Sequence, residues 1–364
     1  MGAVWGSRIR LTIFGESHSA AIGGVLSGLP AGMSFDAQKV ARQMARRAPG
    51  GANSTQRKEA DEVKILSGVK NGCTTGAPLG FEIANSDTRS GDYSAFSVTP
   101  RPSHSDYPAG VKYGGHNDFA GGGHFSGRLT AVLTAAGAIV APELEKRGIT
   151  VGAHLVCVGG VRISRWDPLN PVISTQQDAC LQRRIAEAAA AGDSVGGEIE
   201  CAVCGLPVGL GEPFFDSAES ALAQLLFSVP GVKGVNFGNA EAAPCAQGSS
   251  FNDPLAVKNG RVVTLSNNSG GINGGLTNGM PVIFSVKMRP TPSIFLPQQT
   301  VDLSSGQPAE LTVKGRHDPC IALRAVPVIE ACAQLAFFDM LMCDCGSISK
   351  LRLCTAGEQE TDIK

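Results

Sequence analysis

The chain has 364 residues, of which 43% are hydrophobic and 17% are charged, and its formal net charge is −1. A net charge so near zero gives no overall field that favours nucleic acid or an anionic membrane, so neither is an expected partner. No apolar run approaches the ~18 residues of a membrane-spanning helix, and residues 1–8 lack the apolar core of a signal peptide. We therefore expect a cytoplasmic globular protein, with two to three domains or one large α/β domain.

The 11 cysteines follow no disulfide framework or zinc-ligand spacing. Cys201 and Cys204 form one CxxC pair inside a strand-like run, and the second pair that a zinc site needs is missing. We expect reduced cytosolic thiols and no metal site.

Hydrophobic spacing predicts helices and strands in the following chain order. A strand at 9–14 precedes a helix at 37–44, which has Asp36 as its N-cap and stops before Pro49 and Gly50. Further helices are predicted near 129–140, 181–189, 218–225 and 327–341, and further strand-like runs at 62–69, 151–158, 198–206 and 281–288. Because helices do not alternate one-to-one with strands, the order argues against a doubly wound parallel sheet. Residues 347–364 form a short polar tail.

Five short motifs occur twice in the same order, which suggests a duplication. The first pair is Gly28-Leu29-Pro30-Ala31-Gly32 and Gly205-Leu206-Pro207-Val208-Gly209, each followed by a helix. The other pairs are 65–67 with 264–266, 74–79 with 277–282, 101–102 with 289–290, and the arginine-bearing loops at 128 and at 316–324. We interpret residues 1–346 as one domain of two pseudo-repeated halves, near 1–150 and 151–346, although short glycine and proline turns also resemble each other by chance.

Several well-known nucleotide and nucleophile motifs are absent from the sequence. No GxGxxG opens a helix after a strand, and no Gly-Lys pair exists for a P-loop. The segment 15–19 has Ser19 where the hydrolase nucleophile elbow requires glycine. The glycines therefore do not indicate a dinucleotide fold, an ATP-binding fold or a serine hydrolase.

Five cations lie close together in the first half of the chain, with no acidic residue between them. They are Arg42, Arg46, Arg47, Arg57 and Lys58. Such a run is often a solvated basic face. Here it crosses the Pro-Gly-Gly loop at 49–51, from which arginines can reach a site, and guanidinium groups suit carboxylates and phosphates. Both interpretations stay open at this point.

Four of the six histidines lie within four short motifs that carry glycine, arginine or both. His18 ends Gly15-Glu16-Ser17-His18, His104 and His124 belong to the clusters at 101–106 and 121–128, and His317 lies in 315–320. His116 lies in the loop between two of these clusters, and His154 stands apart. The motifs, in this order and with 28–32, 192–197 and 324–327, resemble the chorismate synthase family over nearly the whole chain.

The resemblance implies a fold and a reaction. The family fold is α+β, a layered sandwich with helices packed between antiparallel sheets. The family reaction is a 1,4-anti elimination of phosphate from 5-enolpyruvylshikimate 3-phosphate, which yields chorismate. It uses reduced FMN without net redox change.

The resemblance also assigns roles to residues of this chain. His104 is expected to protonate the departing phosphate, His18 to tune the protonation of the flavin, and Asp318 to accept a proton from it. The substrate is expected to be held by Arg47, Arg57, Arg101 and Arg128. Relatives often carry a further arginine where this chain has Ala52-Asn53-Ser54, so another cation must serve there or one anion is held less tightly.

The flavin contacts of the family fall on glycine-rich and proline-rich segments. By resemblance they are His124, Phe125, Ser126, Gly274, Arg289, Pro290, Thr291, Pro292, Ser293 and Arg316. Many relatives have Arg-Ser at 124–125 and lysine at 289.

The resemblance further implies a homotetramer, and the missing nucleotide motif favours a separate flavin reductase. Two other hypotheses remain open at this point. A flavin-dependent reductase would need a nucleotide site, and a non-catalytic FMN- or anion-binding protein would need the arginines but not both histidines and Asp318.

Overall fold

The computed structural model describes residues 2–48, 61–86, 95–173, 178–313, 315 and 317–345. Arg57, Arg316, the segment 52–54 and the tail 347–364 lie outside the described residues.

Two five-stranded antiparallel sheets dominate the fold. The first has the order β1-β2-β3-β7-β4 and the second the order β11-β16-β10-β8-β9. Their strands are β1 Val4–Trp5, β2 Arg10–Gly15, β3 Ala21–Ser27, β4 Val63–Ile65, β7 Leu79–Ala84, β8 Thr150–Val158, β9 Val161–Arg162, β10 Gly197–Cys204, β11 Val232–Phe237 and β16 Val282–Met288. Four two-stranded hairpins complete the described strands: β5 Val69–Lys70 with β6 Cys73–Thr74, β12 Leu255–Lys258 with β13 Arg261–Thr264, β14 Ile272–Asn273 with β15 Leu276–Thr277, and β17 Gln298–Asp302 with β18 Gln307–Leu311.

The α-helices are α1 Ala37–Arg47, α2 Asp106–Lys112, α3 Thr130–Glu145, α4 Ala179–Ala190, α5 Ala218–Ser228, α6 Gly248–Phe251 and α7 Ile321–Cys345. The helices expected from spacing are found, and Asp36 caps α1 by accepting from the Lys39 backbone N–H. The last helix begins at Ile321 rather than near Pro327, because burial of its apolar side chains outweighs the hydrogen bond that Pro327 cannot make.

The long helices α3 and α7 pack against each other at the centre of the molecule. Helix α3 also packs on β3 of the first sheet, and α7 packs on β8 and β10 of the second. Gly137 of α3 allows this close approach, because a Cβ there would collide with Ala331 of α7, 2.5 Å away. The expected layered α+β sandwich, with helices between antiparallel sheets, is confirmed, and its core lies between the sheets.

Helix α7 corrects one expectation from the sequence. Within the described residues, its span Ile321–Asp344 is long and apolar enough to cross a membrane by length and composition, but 78% of its apolar window is buried inside the protein. We interpret it as the core helix of the sandwich, since the second sheet and the helices α1, α3 and α5 pack against it.

The predicted strand 62–69 is interrupted. β4 ends at Ile65 and the chain turns through Gly68, whose φ of +84° is unfavourable for any other residue.

The hydrogen bonds of the two halves repeat at equivalent positions. The Thr74 hydroxyl donates to Pro30 O (2.6 Å) and accepts from Met33 N (3.0 Å). The Thr277 hydroxyl donates to Pro207 O (2.7 Å) and accepts from Leu210 N (2.9 Å). The strand register repeats as well, since β3 and β7 pair Leu26 with Leu79 while β10 and β16 pair Val203 with Val282. Duplication stays a prediction, and these contacts support it.

Candidate active site

A cavity of about 260 Å³ lies where residues from both halves of the chain meet. Its polar and charged lining comes from α1, the loops around 104 and 121–130, the end of β16 and the start of α7. These residues include Arg47, His104, Ser126, Arg128, Thr130, Arg289, Thr291, Ser293, His317, Asp318 and Arg324. A larger cavity of about 1040 Å³ adjoins it and shares His104, Phe125, Ser126, Thr130, Pro230 and Arg289.

His104 is held by a buried ion pair at the start of α2. Its Nδ1 lies 2.9 Å from Asp106 Oδ1, and Arg101 binds the same carboxylate through Nε (2.8 Å) and Nη2 (2.7 Å). Burial raises the pKa of Asp106, but the hydrogen bonds from Arg101 and His104 outweigh it and hold that pKa well below its usual range. An ionised Asp106 favours a proton on Nδ1, so Nε2 is the ring atom left for chemistry in the cavity.

The three glycines at 121–123 bring the two predicted catalytic histidines together. All three adopt positive φ, and a Cβ on Gly121 would collide with His18 Nδ1 and lie 2.6 Å from Ser17 Oγ. A Cβ on Gly122 would lie 3.1 Å from His104 Cε1. Only glycine allows both rings to pack against this turn. His18 therefore lies against the wall of the cavity at Gly121.

Arg47 is buried at the C-terminal end of α1, and most of its donors bind the protein itself. Nε donates to Thr130 Oγ1 (3.1 Å), Nη1 to Asp61 Oδ2 (2.8 Å), and Nη2 to the carbonyl oxygens of Gly127 (3.1 Å) and Arg128 (3.3 Å). Burial, together with the nearby charge of Arg324, lowers the pKa of Arg47 to about 10. Four of the five N–H groups of this guanidinium are thus engaged, so Arg47 offers a ligand mainly its charge.

Arg128 lies in the turn that opens α3. The Ser126 hydroxyl accepts from its backbone N–H, and its side chain donates to Asp61 Oδ1, Asn85 Oδ1 and the Ala84 carbonyl. The Asn85 amide in turn donates to the carbonyl oxygens at 16 (3.0 Å) and 19 (2.8 Å), on either side of His18. The loop that carries His18 is therefore linked to Arg128 through Asn85.

Asp318 enters the cavity just before α7, and Arg324 from the first turns of that helix fixes it. Arg324 Nη1 donates to Asp318 Oδ2 at 2.8 Å, and its Nε donates to the Arg47 carbonyl at 3.1 Å. The Thr291 hydroxyl donates to the Asp318 carbonyl at 2.6 Å. Ser194 donates to the Thr291 carbonyl at 2.7 Å, so the loop 192–197 supports this side of the site.

Arg289 borders both cavities at the end of β16. Its Nη1 donates to the Ser103 carbonyl, one residue before His104. Burial lowers the pKa of this guanidinium from its ordinary value. Arg289 therefore joins the loop of His104 in the first half to the proline-rich segment of the second.

Comparison with known proteins agrees with this architecture. A family profile described as chorismate synthase matches residues 9–342. The chain belongs to the chorismate synthase family. A curated chorismate synthase of Korarchaeum cryptofilum is 43% identical over 352 residues, which cover 94% of this chain and 98% of that protein. One of Chitinophaga pinensis is 44% identical over 338 residues, with 93% and 96% covered.

A solved structure described as "Crystal Structure of Chorismate Synthase" superposes with a TM-score of 0.76 at 25% sequence identity, and 96% of each chain is covered. The chain is accordingly an enzyme of the chorismate synthase family, and a lyase.

The structure brings most of the residues assigned through the chorismate synthase resemblance to this place. Ten line the first cavity: Arg47, His104, Phe125, Ser126, Arg128, Arg289, Thr291, Pro292, Ser293 and Asp318. His124 lines the second, with Nδ1 2.8 Å from the Gly15 carbonyl. Arg101 and His18 lie behind the lining, where they contact His104 and Gly121. Pro290 lines neither cavity.

Gly274 is not brought to the site. It lies in the turn between β14 and β15, with no atom within 4 Å of a Cβ built on it, and it lines neither cavity.

The basic cluster divides in the folded chain. Arg42 is exposed and only loosely paired with Asp36 (3.9 Å), Arg46 pairs with buried Glu330, and Arg47 reaches the cavity. Arg42 therefore lies on a solvated face, whereas Arg47 lies where the anion-site hypothesis requires a cation.

Sequence reasoning missed three polar residues that line the first cavity, Thr130, His317 and Arg324, and it missed Asp61, which pairs with two arginines of the lining. A signal existed for Arg324 and His317, which lie in or next to a recognised motif. None existed for Asp61, whose partners Arg47 and Arg128 are 14 and 67 positions away.

Proposed function

We propose that this enzyme eliminates phosphate from 5-enolpyruvylshikimate 3-phosphate to give chorismate, with reduced FMN as its cofactor. One observation carries the proposal. Arginines from three separate segments, Arg47, Arg128 and Arg324, surround the same cavity as His104 and Asp318. A substrate with two carboxylates and a phosphate needs clustered guanidinium groups, and loss of its phosphate needs a proton donor.

The residues present fit a flavin mononucleotide. The first cavity alone is smaller than the ~300–1,000 Å³ of typical ligand sites, but the adjoining cavity of about 1040 Å³ leaves room for a flavin beside the substrate. Arg289, Thr291 and Ser293 offer a cation and two hydroxyls suited to a phosphate. When bound, reduced FMN supplies electron density to the allylic phosphate system and takes it back, so no net redox change results.

The arginines would bind and orient the substrate, and the charge of Arg47 and Arg128 would stabilise the leaving phosphate. As an imidazolium, with its Nδ1–H bound to Asp106, His104 would protonate that phosphate from Nε2. The elimination also removes a proton from substrate C6, and the site must supply a group that accepts it. Asp318, which lines the first cavity with its Oδ2 held by Arg324, would be the carboxylate that takes up this proton.

His18 would act on the flavin rather than on the substrate. It lies against Gly121, which lines the cavity, and its loop is tied by Asn85 to Arg128. From there it would tune the protonation of the reduced flavin.

The test is anaerobic turnover with the purified protein. Chemically reduced FMN and 5-enolpyruvylshikimate 3-phosphate should give chorismate and phosphate in equal amounts. Oxidised FMN with NADPH, and no other protein, should give negligible product, because a separate reductase is expected to supply the reduced flavin. Sustained product from NADPH would instead indicate a built-in reductase. Binding of flavin and substrate without product would indicate a carrier.

The two ligands can also be titrated separately. Arg47→Ala and Arg57→Ala should weaken substrate binding by about 2–5 kcal/mol and flavin binding far less. Equal losses for both ligands would contradict the assignment. We further propose that the enzyme is a cytoplasmic homotetramer, as the family resemblance implies.

A further inference from the structure

Asp61 pairs with two of the arginines that line the first cavity, Arg47 and Arg128. Its Oδ2 accepts from Arg47 Nη1 at 2.8 Å, and its Oδ1 accepts from Arg128 Nη1. Its side chain is 1% exposed, and both guanidiniums are 4% exposed. Asp61 itself lines neither cavity, so it reaches a ligand only through its two partners.

The two arginines need this carboxylate to stay together. The charges of Arg324 and Arg128 both lower the pKa of Arg47, in addition to burial, while the charge of Asp61 opposes them. Without a shared counter-ion, the two buried positive charges would repel each other. One carboxylate oxygen for each guanidinium fixes the separation and the orientation of the pair.

The backbone of Asp61 is also constrained. Its φ is +44°, in the left-handed region that residues other than glycine rarely adopt. Such conformations persist where the surrounding structure enforces them, and they concentrate at functional sites. Here the two ion pairs hold the residue in place.

We propose that Asp61 is a positioning residue for anion binding, which sets Arg47 and Arg128 side by side to receive one anionic group of the substrate. The proposal rests on the proposed function for the identity of that substrate. It differs from a simple counter-charge in the sign of its effect. If Asp61 only reduced the positive charge of the site, its neutralisation would tighten anion binding, whereas loss of positioning weakens it.

The test compares Asp61→Asn with the wild type by calorimetric titration of inorganic phosphate and of 5-enolpyruvylshikimate 3-phosphate. We expect both dissociation constants to rise at least about 30-fold, the low end of the range for loss of a buried hydrogen-bonded charge partner. KM should rise by a similar factor, while kcat at saturating substrate falls less. Unchanged or tighter binding of phosphate would overturn the proposal.

Glu330→Gln is the matched control. Glu330 is also buried, pairs with Arg46 and accepts from the Ala153 N–H (3.0 Å), but it lines neither cavity. It should lose stability and leave both dissociation constants within about twofold. A loss of affinity equal to that of Asp61→Asn would reduce Asp61 to a general structural role and overturn the proposal.

Asp61→Glu covers the case in which Asp61→Asn does not fold. It keeps the negative charge but moves it by one methylene, so positioning predicts weaker phosphate binding and charge compensation predicts no change. The phosphate titration also separates this proposal from the proposed function. A wild type that binds phosphate, but neither binds nor converts 5-enolpyruvylshikimate 3-phosphate, contradicts the function alone, and a wild type that binds neither anion contradicts both.

Discussion

His104 Nδ1 lies 2.9 Å from Asp106 Oδ1, and Arg101 donates to the same carboxylate through Nε and Nη2. The three residues come from one six-residue turn, 101–106, so the sequence motif itself builds the unit. Because Arg101 keeps Asp106 ionised, the carboxylate can fix the tautomer of the histidine as well as its orientation.

Asp106→Asn should destabilise the protein by about 3–5 kcal/mol at pH 7, since it breaks a buried ion pair. The pKa of Asp106 in the folded state is below its ordinary value of 3.8. Its contribution is therefore present in full above that pH and is lost as the pH falls through the folded-state value. Denaturant unfolding of both proteins from pH 7 to pH 3 checks this. The difference should be constant down to pH 5 and shrink below pH 4, and a difference that grows toward acid would contradict it.

The proposed catalytic residues should separate by substitution. His104→Ala should lower kcat by about 10²–10⁴ and leave flavin affinity nearly intact, because it removes a proton donor that faces the substrate. Asp318→Ala should lower kcat by a similar factor. His18→Ala should shift the pH dependence of the rate. Single-turnover kinetics with reduced FMN, combined with flavin titration, measures these effects. Variants with undiminished rates would end the assignment.

Arg324→Gln should lower kcat by about 10- to 100-fold, because it removes a charged hydrogen bond that orients Asp318. Its second bond, to the Arg47 carbonyl, makes some increase in KM an added result. Arg184→Gln is the control, since Arg184 pairs with Glu187 on the surface of α4, 3.5 Å away. Steady-state kinetics of both variants is the measurement. Equal activity of the two would mean that the pairing with Asp318 is not needed.

Local motifs made much of this protein predictable from sequence. The N-cap at Asp36 and the apolar spacing of α1, α4 and α5 depend on residues within a few positions, so those helices were recognised. The strand expected at 62–69 was too long, because a positive φ at Gly68 ends it, and periodicity does not report φ.

The site was predicted only where a motif carries it. His104 and Asp318 lie in short, unusual motifs and do line one cavity. The pairing of Asp61 with Arg128 spans 67 positions, and the bond from Arg324 to Arg47 spans 277. Such contacts are set by how α1, α3 and α7 pack, and no local pattern encodes that packing.

Gly121→Ala should disable the enzyme through His18. A methyl group there would collide with His18 Nδ1 and lie 2.6 Å from Ser17 Oγ, so the ring must move. We expect kcat to fall by at least about tenfold, since small displacements of catalytic groups are costly. Gly306→Ala is the control because Gly306 also has a positive φ (+70°) but no atom within 4 Å of its Cβ position. Activity lost equally in both variants would point to backbone strain rather than to the histidine.

Thr74 and Thr277 make the same two hydrogen bonds in the two halves, so equivalent substitutions should have equal effects. Thr74→Val and Thr277→Val each keep the side-chain shape but leave a buried N–H, of Met33 or Leu210, without its hydroxyl partner. Each should lower the free energy of unfolding by about 1–3 kcal/mol. Thr150→Val, at an exposed position, should stay within about 0.5 kcal/mol of the wild type. Urea unfolding of the three variants is the measurement.

Because the two threonines lie in separate halves with no shared partner, their double variant should show the sum of both losses. A loss confined to one half would mean that the repeated hydrogen bonds do not carry equivalent stability, and it would weaken the case for duplication.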